Sequence, residues 1–273
     1  MIRLFSATGC MRCNILKTYM EINNIAYEVL DIHTNGKEAF TLFYRENRSH
    51  IFRGPEGVEF PILSAGGKIF QGVGLALAYL MADERLAGSV TRGELSHGWI
   101  SGLNVSAKTA GDGFEFLCLL RFLKDHGLMI QIEADGRNSV LLKSILKERL
   151  VQRLFFYLRG TADLYEALTG TALPPEELSH SLSLLDGSVD YQIILPIVFM
   201  ARRNGGSAWL SPEEAAGAAE FAEKATGRKK HPFFIKALAP PESSHVPPLS
   251  EAELFKYRTL CRRYMVLCDI LKS

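Results

Sequence analysis

The chain has 273 residues, of which 47% are hydrophobic, and its 31 lysines and arginines balance 30 aspartates and glutamates. This length and apolar content suit one large or two ordinary domains with a buried core. The near-neutral charge argues against broad binding to nucleic acid or to a membrane surface. No apolar run is long enough to span a bilayer, and residues 1–6 lead directly into a strand pattern without a signal peptide. Five cysteines do not suit a secreted disulfide framework, so we expect a protein of the reducing cytoplasm.

The first motif along the chain is a pair of cysteines, Cys10 and Cys13, between a predicted strand at residues 2–5 and a helical pattern that begins at residue 14. The first turn of a helix has free N–H groups and the positive end of the dipole, which favour a thiolate, and Arg12 adds a cation. A thiolate attacks disulfides, so Cys10 is the expected nucleophile, and Cys13 is placed to resolve the mixed disulfide. The motif in this context predicts a redox-active dithiol.

The cysteine pair is also compatible with a metal site or with an inert disulfide. A zinc or iron–sulfur site needs further ligands at suitable spacing, and Cys118, Cys261 and Cys268 do not supply them, so such a site requires Cys10 and Cys13 to be shared in a dimer. A purely structural disulfide closes so short a loop that it stabilises little. We expect Cys118 to be a buried core thiol.

The elements that follow the dithiol are predicted as a strand at 27–32, a helix at 36–46, a strand at 58–63, a Gly66-Gly67 hairpin, a strand at 68–70 and an apolar helix to residue 81. In this order, residues 1–83 resemble a glutaredoxin or thioredoxin-like domain. The resemblance implies a cis peptide bond before Pro61, with Pro61 facing the thiols. It also implies that Arg12, Phe60, Pro61 and Gly72 contact the substrate, whose extended backbone pairs beside Pro61. The lysine with which glutaredoxins hold glutathione is absent from residues 7–9, so a protein disulfide or another low-molecular-weight thiol is an equally good partner.

Beyond a polar linker at residues 84–97, strands and helices alternate. Strands are predicted at 99–105, 128–132, 151–158 and 233–236, with an apolar segment at 189–199; helices are predicted at 114–124, 141–150, 164–168, from Pro174, from Ser211 and at 251–271. This alternation predicts a parallel sheet or a partial barrel. Cys261 and Cys268 are expected to share a face of the last helix as core thiols. The histidines are scattered and each is expected at the surface: His33, His50, His97, His126, His180, His231 and His245.

Three segments of this second region follow a recognisable order. A strand at 103–106 is followed by a helix that ends in Leu123-Lys124-Asp125-His126-Gly127 and a strand that ends in the acidic turn Asp135-Gly136. With residues 164–170 and 189–191, they resemble part of the radical S-adenosylmethionine fold of glycyl-radical-enzyme activating proteins, from about residue 98 to 240. The three cluster cysteines of that family are absent, which excludes its cluster and its cofactor cleavage.

Together these patterns predict an α/β protein with a thioredoxin-like domain at residues 1–83, a linker at 84–97 and an incomplete (β/α) barrel at 98–273. The predicted function is a thiol–disulfide oxidoreductase that uses no cofactor or metal, with a non-catalytic second domain that docks the partner. The alternative is a redox-sensing binding protein, in which the second domain binds a small molecule or a radical enzyme while the dithiol senses redox state.

Overall fold

The computed structural model describes residues 1–93, 98–106, 113–202 and 205–271. The chain divides into two compact units. The first comprises the described residues of Met1–Asn104 and Lys108–Ile130, and the second those of Val105–Ala107 and Gln131–Ser273. None of the helices in these ranges combines the length and the apolarity that a membrane crossing requires. Residues 94–97 of the predicted linker lie outside the described residues.

The first part of the chain alternates strands and helices. Its elements are β1 (Ile2–Ser6), α1 (Met11–Ile22), β2 (Tyr27–Asp31), α2 (Lys37–Asn47), β3 (Arg53–Gly54), β4 (Gly57–Val58), β5 (Ile62–Ala65), β6 (Lys68–Gln71), α3 (Val73–Ala82), β7 (Trp99–Val105) and α4 (Phe114–Asp125), with 3₁₀ turns at Arg48–His50 and Asp83–Leu86. The strand predicted at 58–63 is divided between β4 and β5, because Pro61 has no N–H group to donate to a sheet.

The rest of the chain continues the alternation. Its elements are β8 (Met129–Ala134), α5 (Ser139–Lys147), β9 (Arg153–Tyr157), α6 (Ala162–Thr169), α7 (Pro175–Ser183), β10 (Asp190–Ile197), β11 (Phe199–Ala201), β12 (Ser207–Trp209), α8 (Pro212–Thr226), β13 (Phe233–Ala237), α9 (Glu251–Cys261) and β14 (Cys268–Ile270), with a 3₁₀ turn at Glu242–Ser244. The helix starts follow their local chemistry. Ser211 caps α8 by accepting a hydrogen bond from the Glu214 N–H at 3.1 Å, and the Glu214 carboxylate accepts one from the Ser211 N–H at 2.7 Å.

The N-terminal sheet has the strand order β2-β1-β5-β6. β1 runs parallel to β2 and antiparallel to β5, with Phe5 opposite Leu30 on one side and Ile62 on the other. These three side chains are buried together with Ile51 in one apolar cluster. Burial on both sides fixes β1 as a central strand, so its carboxyl end at Ser6 is held firmly where the chain turns toward the cysteines.

The larger sheet has six strands in the order β14-β13-β10-β9-β8-β7. The pairs β8–β9, β9–β10, β10–β13 and β13–β14 are parallel. The middle strand β10 is buried continuously from Ile193 to Ile197, as expected for a parallel strand covered on both faces. The predicted α/β organisation with a parallel sheet is confirmed.

The predicted last helix is wrong beyond Cys261. The helix α9 ends there. Cys268 belongs to β14, which pairs in parallel with β13, and it lies opposite Phe233 of β13. The edge of β13 supplies backbone hydrogen bonds, and Met265 and Cys268 become fully buried, so the tertiary pairing outweighs the helical pattern. Cys261 and Cys268 therefore do not share a helix face.

The cysteines outside the dithiol differ in burial. Cys261 and Cys268 are core thiols, as predicted, and they meet across the junction of α9 and β14. The hydrogen bond with Cys268, and then burial, raise the pKa of the Cys261 thiol above its usual value. Cys118 was expected to be buried but is only half-buried on α4.

His231 is a further correction, because it was expected at the surface and is fully buried in the second unit. Its Nδ1 lies 2.6 Å from the Tyr191 hydroxyl, and its Nε2 lies 2.9 Å from the Thr226 hydroxyl. Burial, and then the positive charge of Arg228, lower the pKa of His231 below its usual value. The folded protein therefore holds this imidazole neutral at a pH where the unfolded chain protonates it.

This difference predicts that stability falls with acidification. Below about pH 6.5, the ordinary pKa of histidine, the unfolded state binds a proton at His231 and the folded state does not. The contribution that neutral His231 makes to the stability of the fold above that pH is therefore lost as the pH falls. The free energy of unfolding in urea should decrease more between pH 7 and pH 5 in the wild type than in His231→Gln. The exposed histidine of α7 provides the control, since His180→Gln should keep the wild-type slope. Equal slopes in wild type and His231→Gln would contradict the prediction.

Candidate functional site

The dithiol is built on the first turn of α1. Cys10 has extended backbone angles and is the N-cap of the helix, and its carbonyl accepts the first helical hydrogen bond, from Asn14 at 3.1 Å. Its sulfur accepts a hydrogen bond from the Cys13 N–H at 3.2 Å. Cys10 and Cys13 form a disulfide across a Cα–Cα distance of 5.3 Å. Cys10 is partly exposed while Cys13 is buried, which is the order of access that a nucleophile and a resolving thiol require.

The loop between β1 and α1 is tied to the neighbouring strand. The Cys10 N–H donates to the Ala7 carbonyl at 3.1 Å and closes a turn. The Thr8 hydroxyl donates to the Asp31 carboxylate at 3.1 Å, at the end of β2. The pKa of Asp31 is lowered, first by the hydrogen bond that its carboxylate accepts from the His33 backbone N–H and further by the bond from the Thr8 hydroxyl. The loop that carries Cys10 is therefore anchored at the carboxyl ends of two paired strands.

Pro61 lies at the same end of the N-terminal sheet. Because β5 is antiparallel to β1 with Ile62 opposite Phe5, Pro61 stands where β1 ends and the dithiol loop begins. The Phe60–Pro61 peptide bond is cis, as predicted. The Pro61 carbonyl accepts a hydrogen bond from the Gly72 N–H at 2.9 Å, so Pro61 and Gly72 are brought together.

Phe60 precedes this proline and is half-buried. Its ring packs 5.3 Å from that of Phe40, centroid to centroid, against the apolar cluster of the sheet. The Phe60 side chain therefore packs against the core, and the cis bond to Pro61 fixes the direction of the backbone that follows it. The predicted role of Phe60 in substrate contact remains a prediction.

Arg12 was predicted to contribute a cation beside the thiols. It is half-buried, and its Nη2 donates a hydrogen bond of 2.6 Å to the Trp99 carbonyl, within the first unit. Burial lowers the pKa of Arg12, and the nearby Glu59 carboxylate opposes that effect. An arginine in this setting stays charged, so Arg12 is a cation held by its hydrogen bond between the two cysteines, next to Cys13 and two residues after Cys10.

A second group of side chains near Pro61 was not found by sequence reasoning. The Glu59 carboxylate lies 2.9 Å from Nη1 of Arg92, and the Arg92 guanidinium stacks on the ring of Phe52 at 3.6 Å from its centroid. Gln71 fixes the backbone beneath them, because its buried amide accepts from the Phe52 N–H at 2.8 Å and donates to the Glu59 carbonyl at 3.0 Å. The ion pair joins residues 33 positions apart, and no local pattern links them.

The potential metal ligands among the described residues are dispersed. Across residues 1–93, 98–106, 113–202 and 205–271, no group of three or more His, Cys, Asp or Glu side chains is arranged to hold a metal ion. Within the single chain, the structure pairs the sulfurs of Cys10 and Cys13 with each other.

No family model and no curated protein matches this chain. Among solved structures, it is similar to a domain of pyruvate-formate lyase-activating enzyme from Bacteroides vulgatus ATCC 8482. The two share 14% sequence identity with a TM-score of 0.41, over 59% of this chain and 91% of that one. A likeness at this level assigns neither a family nor an activity to the chain.

Proposed function

We propose that the protein is a thiol–disulfide oxidoreductase that works through Cys10 and Cys13. The observation that carries this proposal is the Cys10–Cys13 disulfide, formed at the N-terminus of α1 with its outer residue accessible. A helix N-terminus favours an anion, and the Cys13 N–H already points at the Cys10 sulfur. Reduction of the disulfide would leave a thiolate at Cys10 in a site made to stabilise it.

The reaction follows from the two sulfurs. In the reduced protein, the Cys10 thiolate attacks one sulfur of a substrate disulfide, forming a mixed disulfide and releasing the other substrate sulfur as a thiolate that takes a proton from water. Cys13, after losing its proton, then attacks the Cys10 sulfur, which re-forms the protein disulfide and releases the second substrate thiol. Two electrons pass from the protein dithiol to the substrate, and a separate thiol reductant restores the dithiol.

We propose that the N-terminal sheet and its helices form a thioredoxin-like domain, and that the substrate lies beside Pro61. The position of Pro61 at the end of β1, with Gly72 hydrogen-bonded to it, supports this placement. Phe60, Pro61 and Gly72 would contact an extended substrate backbone, and Arg12 would favour a negatively charged sulfur. The partner would be a protein disulfide or a low-molecular-weight thiol.

The second unit would select or dock this partner. Its strands β8, β9, β10, β13 and β14 follow the order of the chain in the larger sheet, as in one arc of a (β/α) barrel, and we propose that it is an incomplete barrel.

The test is turnover of two disulfides by the full chain. Bis(2-hydroxyethyl) disulfide with glutathione represents small thiols, and insulin with dithiothreitol represents protein disulfides. We expect reduction of at least one of them at about ten times the rate of the reductant alone, with many substrate molecules converted per protein molecule. The preferred substrate would identify the partner class. Rates equal to the background, from protein with a demonstrably reduced dithiol, would reject the proposal in favour of a redox-sensing binding protein.

A further inference from the structure

A cavity in the second unit lies apart from the dithiol chemistry. Its volume is about 250 Å³, and it opens at the carboxyl ends of β9 and β10, between α6 and the β11–β12 hairpin. The residues that form most of its wall are Arg159, Leu168, Pro196, Val198, Phe199 and Met200. In open parallel sheets, ligands bind at the carboxyl ends of the strands, so the location is one where a ligand is expected.

Arg159 is the charged residue of this wall. It follows β9, and its Nε is buried without a hydrogen-bond partner in the part of the chain that the structure describes. Within the same residues it forms no ion pair. Its guanidinium carbon is 6.0 Å from the centre of the Tyr157 ring. A buried donor without a partner is uncommon in folded proteins and indicates a group that something else satisfies.

An acidic group that neighbours Tyr165, as Arg159 does, is already engaged. Asp135, at the end of β8, is paired with Arg137, and both side chains are largely buried. Tyr165 lies against Arg159, but its hydroxyl accepts a hydrogen bond from the Arg159 backbone N–H at 3.3 Å and not from the guanidinium. Within the described residues, no ion pair therefore neutralises the charge of Arg159, and this charge is available to an anion in the cavity.

The chemistry of the cavity limits that ligand. A guanidinium presents parallel N–H groups that match the two oxygens of a carboxylate. The remaining wall is aliphatic and aromatic, which suits a short hydrocarbon chain or a single ring. The volume is below the range of about 300–1,000 Å³ for sites that hold drug-sized ligands, which favours a small molecule.

We propose that the second unit binds a small organic carboxylate, with its carboxylate on Arg159 and its apolar part against Leu168 and Phe199. Binding at this site does not involve the dithiol, so this proposal does not depend on the oxidoreductase proposal. A ligand that binds there only in the folded state would stabilise the second unit, and the stabilisation would grow with the logarithm of the ligand concentration above its Kd.

The proposal is tested by calorimetry and thermal unfolding of the full chain with benzoate and hexanoate, each compared with its neutral amide. We expect saturable binding and a higher melting temperature with the acids, and at least tenfold weaker binding with benzamide and hexanamide. Amides that bind as well as acids would overturn the proposal. Inorganic phosphate that binds as well as benzoate would also overturn it, because the site would then recognise a bare anion.

Variants separate the site from a general effect on the fold. Arg159→Met should weaken benzoate binding at least tenfold, while Arg263→Gln, which removes an exposed positive charge from the same unit, should bind as the wild type does. Ala167→Trp should also abolish binding, because it fills the cavity from an exposed position of α6 while leaving Arg159 intact. If Arg159→Met does not fold, Ala167→Trp decides: unchanged binding in that variant rejects the site.

Discussion

Replacing Cys10 with serine is expected to reduce disulfide turnover about tenfold, which removes the whole enhancement expected over the rate of the reductant alone. Cys10 is the partly exposed member of the pair, and its sulfur accepts the Cys13 N–H. A serine hydroxyl stays protonated at neutral pH and does not exchange with disulfides, so the loss should be complete even if the fold is unchanged. The initial rate of insulin or bis(2-hydroxyethyl) disulfide reduction by Cys10→Ser gives the measurement.

The corresponding variant of the second cysteine, Cys13→Ser, should fail at a different step. Cys13→Ser retains the attacking sulfur but not the resolving one, so a mixed disulfide through Cys10 should accumulate. Intact-protein mass spectrometry should show a gain of one substrate thiol that dithiothreitol reverses. Cys118→Ser is the matched control, because that thiol is half-buried on another helix of the same unit and should be dispensable for turnover. An adduct on Cys118, or loss of turnover in Cys118→Ser, would place the chemistry elsewhere.

Local patterns explain why much of the fold was predictable. The Ser211-Pro212-Glu213-Glu214 run contains its own capping hydrogen bonds, so the start of α8 is specified within four residues. The apolar strands of the larger sheet are likewise visible because burial on both faces demands continuous apolar sequence. The end of α9 is different. Whether residues 262–271 continue the helix or form β14 depends on the edge of β13, far away in the sequence.

The same distinction applies to the candidate sites. Cys10 and Cys13 stand together in the sequence with the helix that activates them, and the cis bond at Pro61 follows from a recognisable order of elements. The pairing of Glu59 with Arg92 exists only once distant segments have packed. Arg159 has no sequence signal, because an arginine after a strand is ordinary until its surroundings are seen to lack a partner for its Nε.

Gly102 links the packing of the first unit to the residues around Pro61. It lies inside β7 with a φ of 77°, in the left-handed region that other residues rarely adopt. A Cβ atom there would lie 2.7 Å from the Gly93 nitrogen and 2.7 Å from the Thr91 oxygen. The Gly102 carbonyl accepts the Thr91 N–H at 2.7 Å, directly before Arg92. Gly102 is therefore required for the close backbone pairing that places Arg92.

Gly102→Ala is expected to destabilise the first unit by about 3 kcal/mol, the sum of about 1–2 kcal/mol for the left-handed backbone and about 1–3 kcal/mol for the overpacking. Gly67→Ala is the matched control, because Gly67 also has a φ of 77° but no atom within 4 Å of its Cβ position. Gly67→Ala should therefore lose only the stability that the left-handed backbone costs, about 1–2 kcal/mol.

Trp99 and Trp209 belong to different units, so urea unfolding followed by fluorescence in a Trp209→Phe background reports on the first unit.

Because Thr91 immediately precedes Arg92, the clash at Gly102 should also displace Arg92 from Glu59, whereas the change at Gly67 should not. The coupling free energy between Arg92→Met and Glu59→Gln should therefore shrink in Gly102→Ala and persist in Gly67→Ala. Equal losses of stability in the two glycine variants would mean that backbone conformation alone, and not the approach of residues 91–93, makes glycine necessary at position 102.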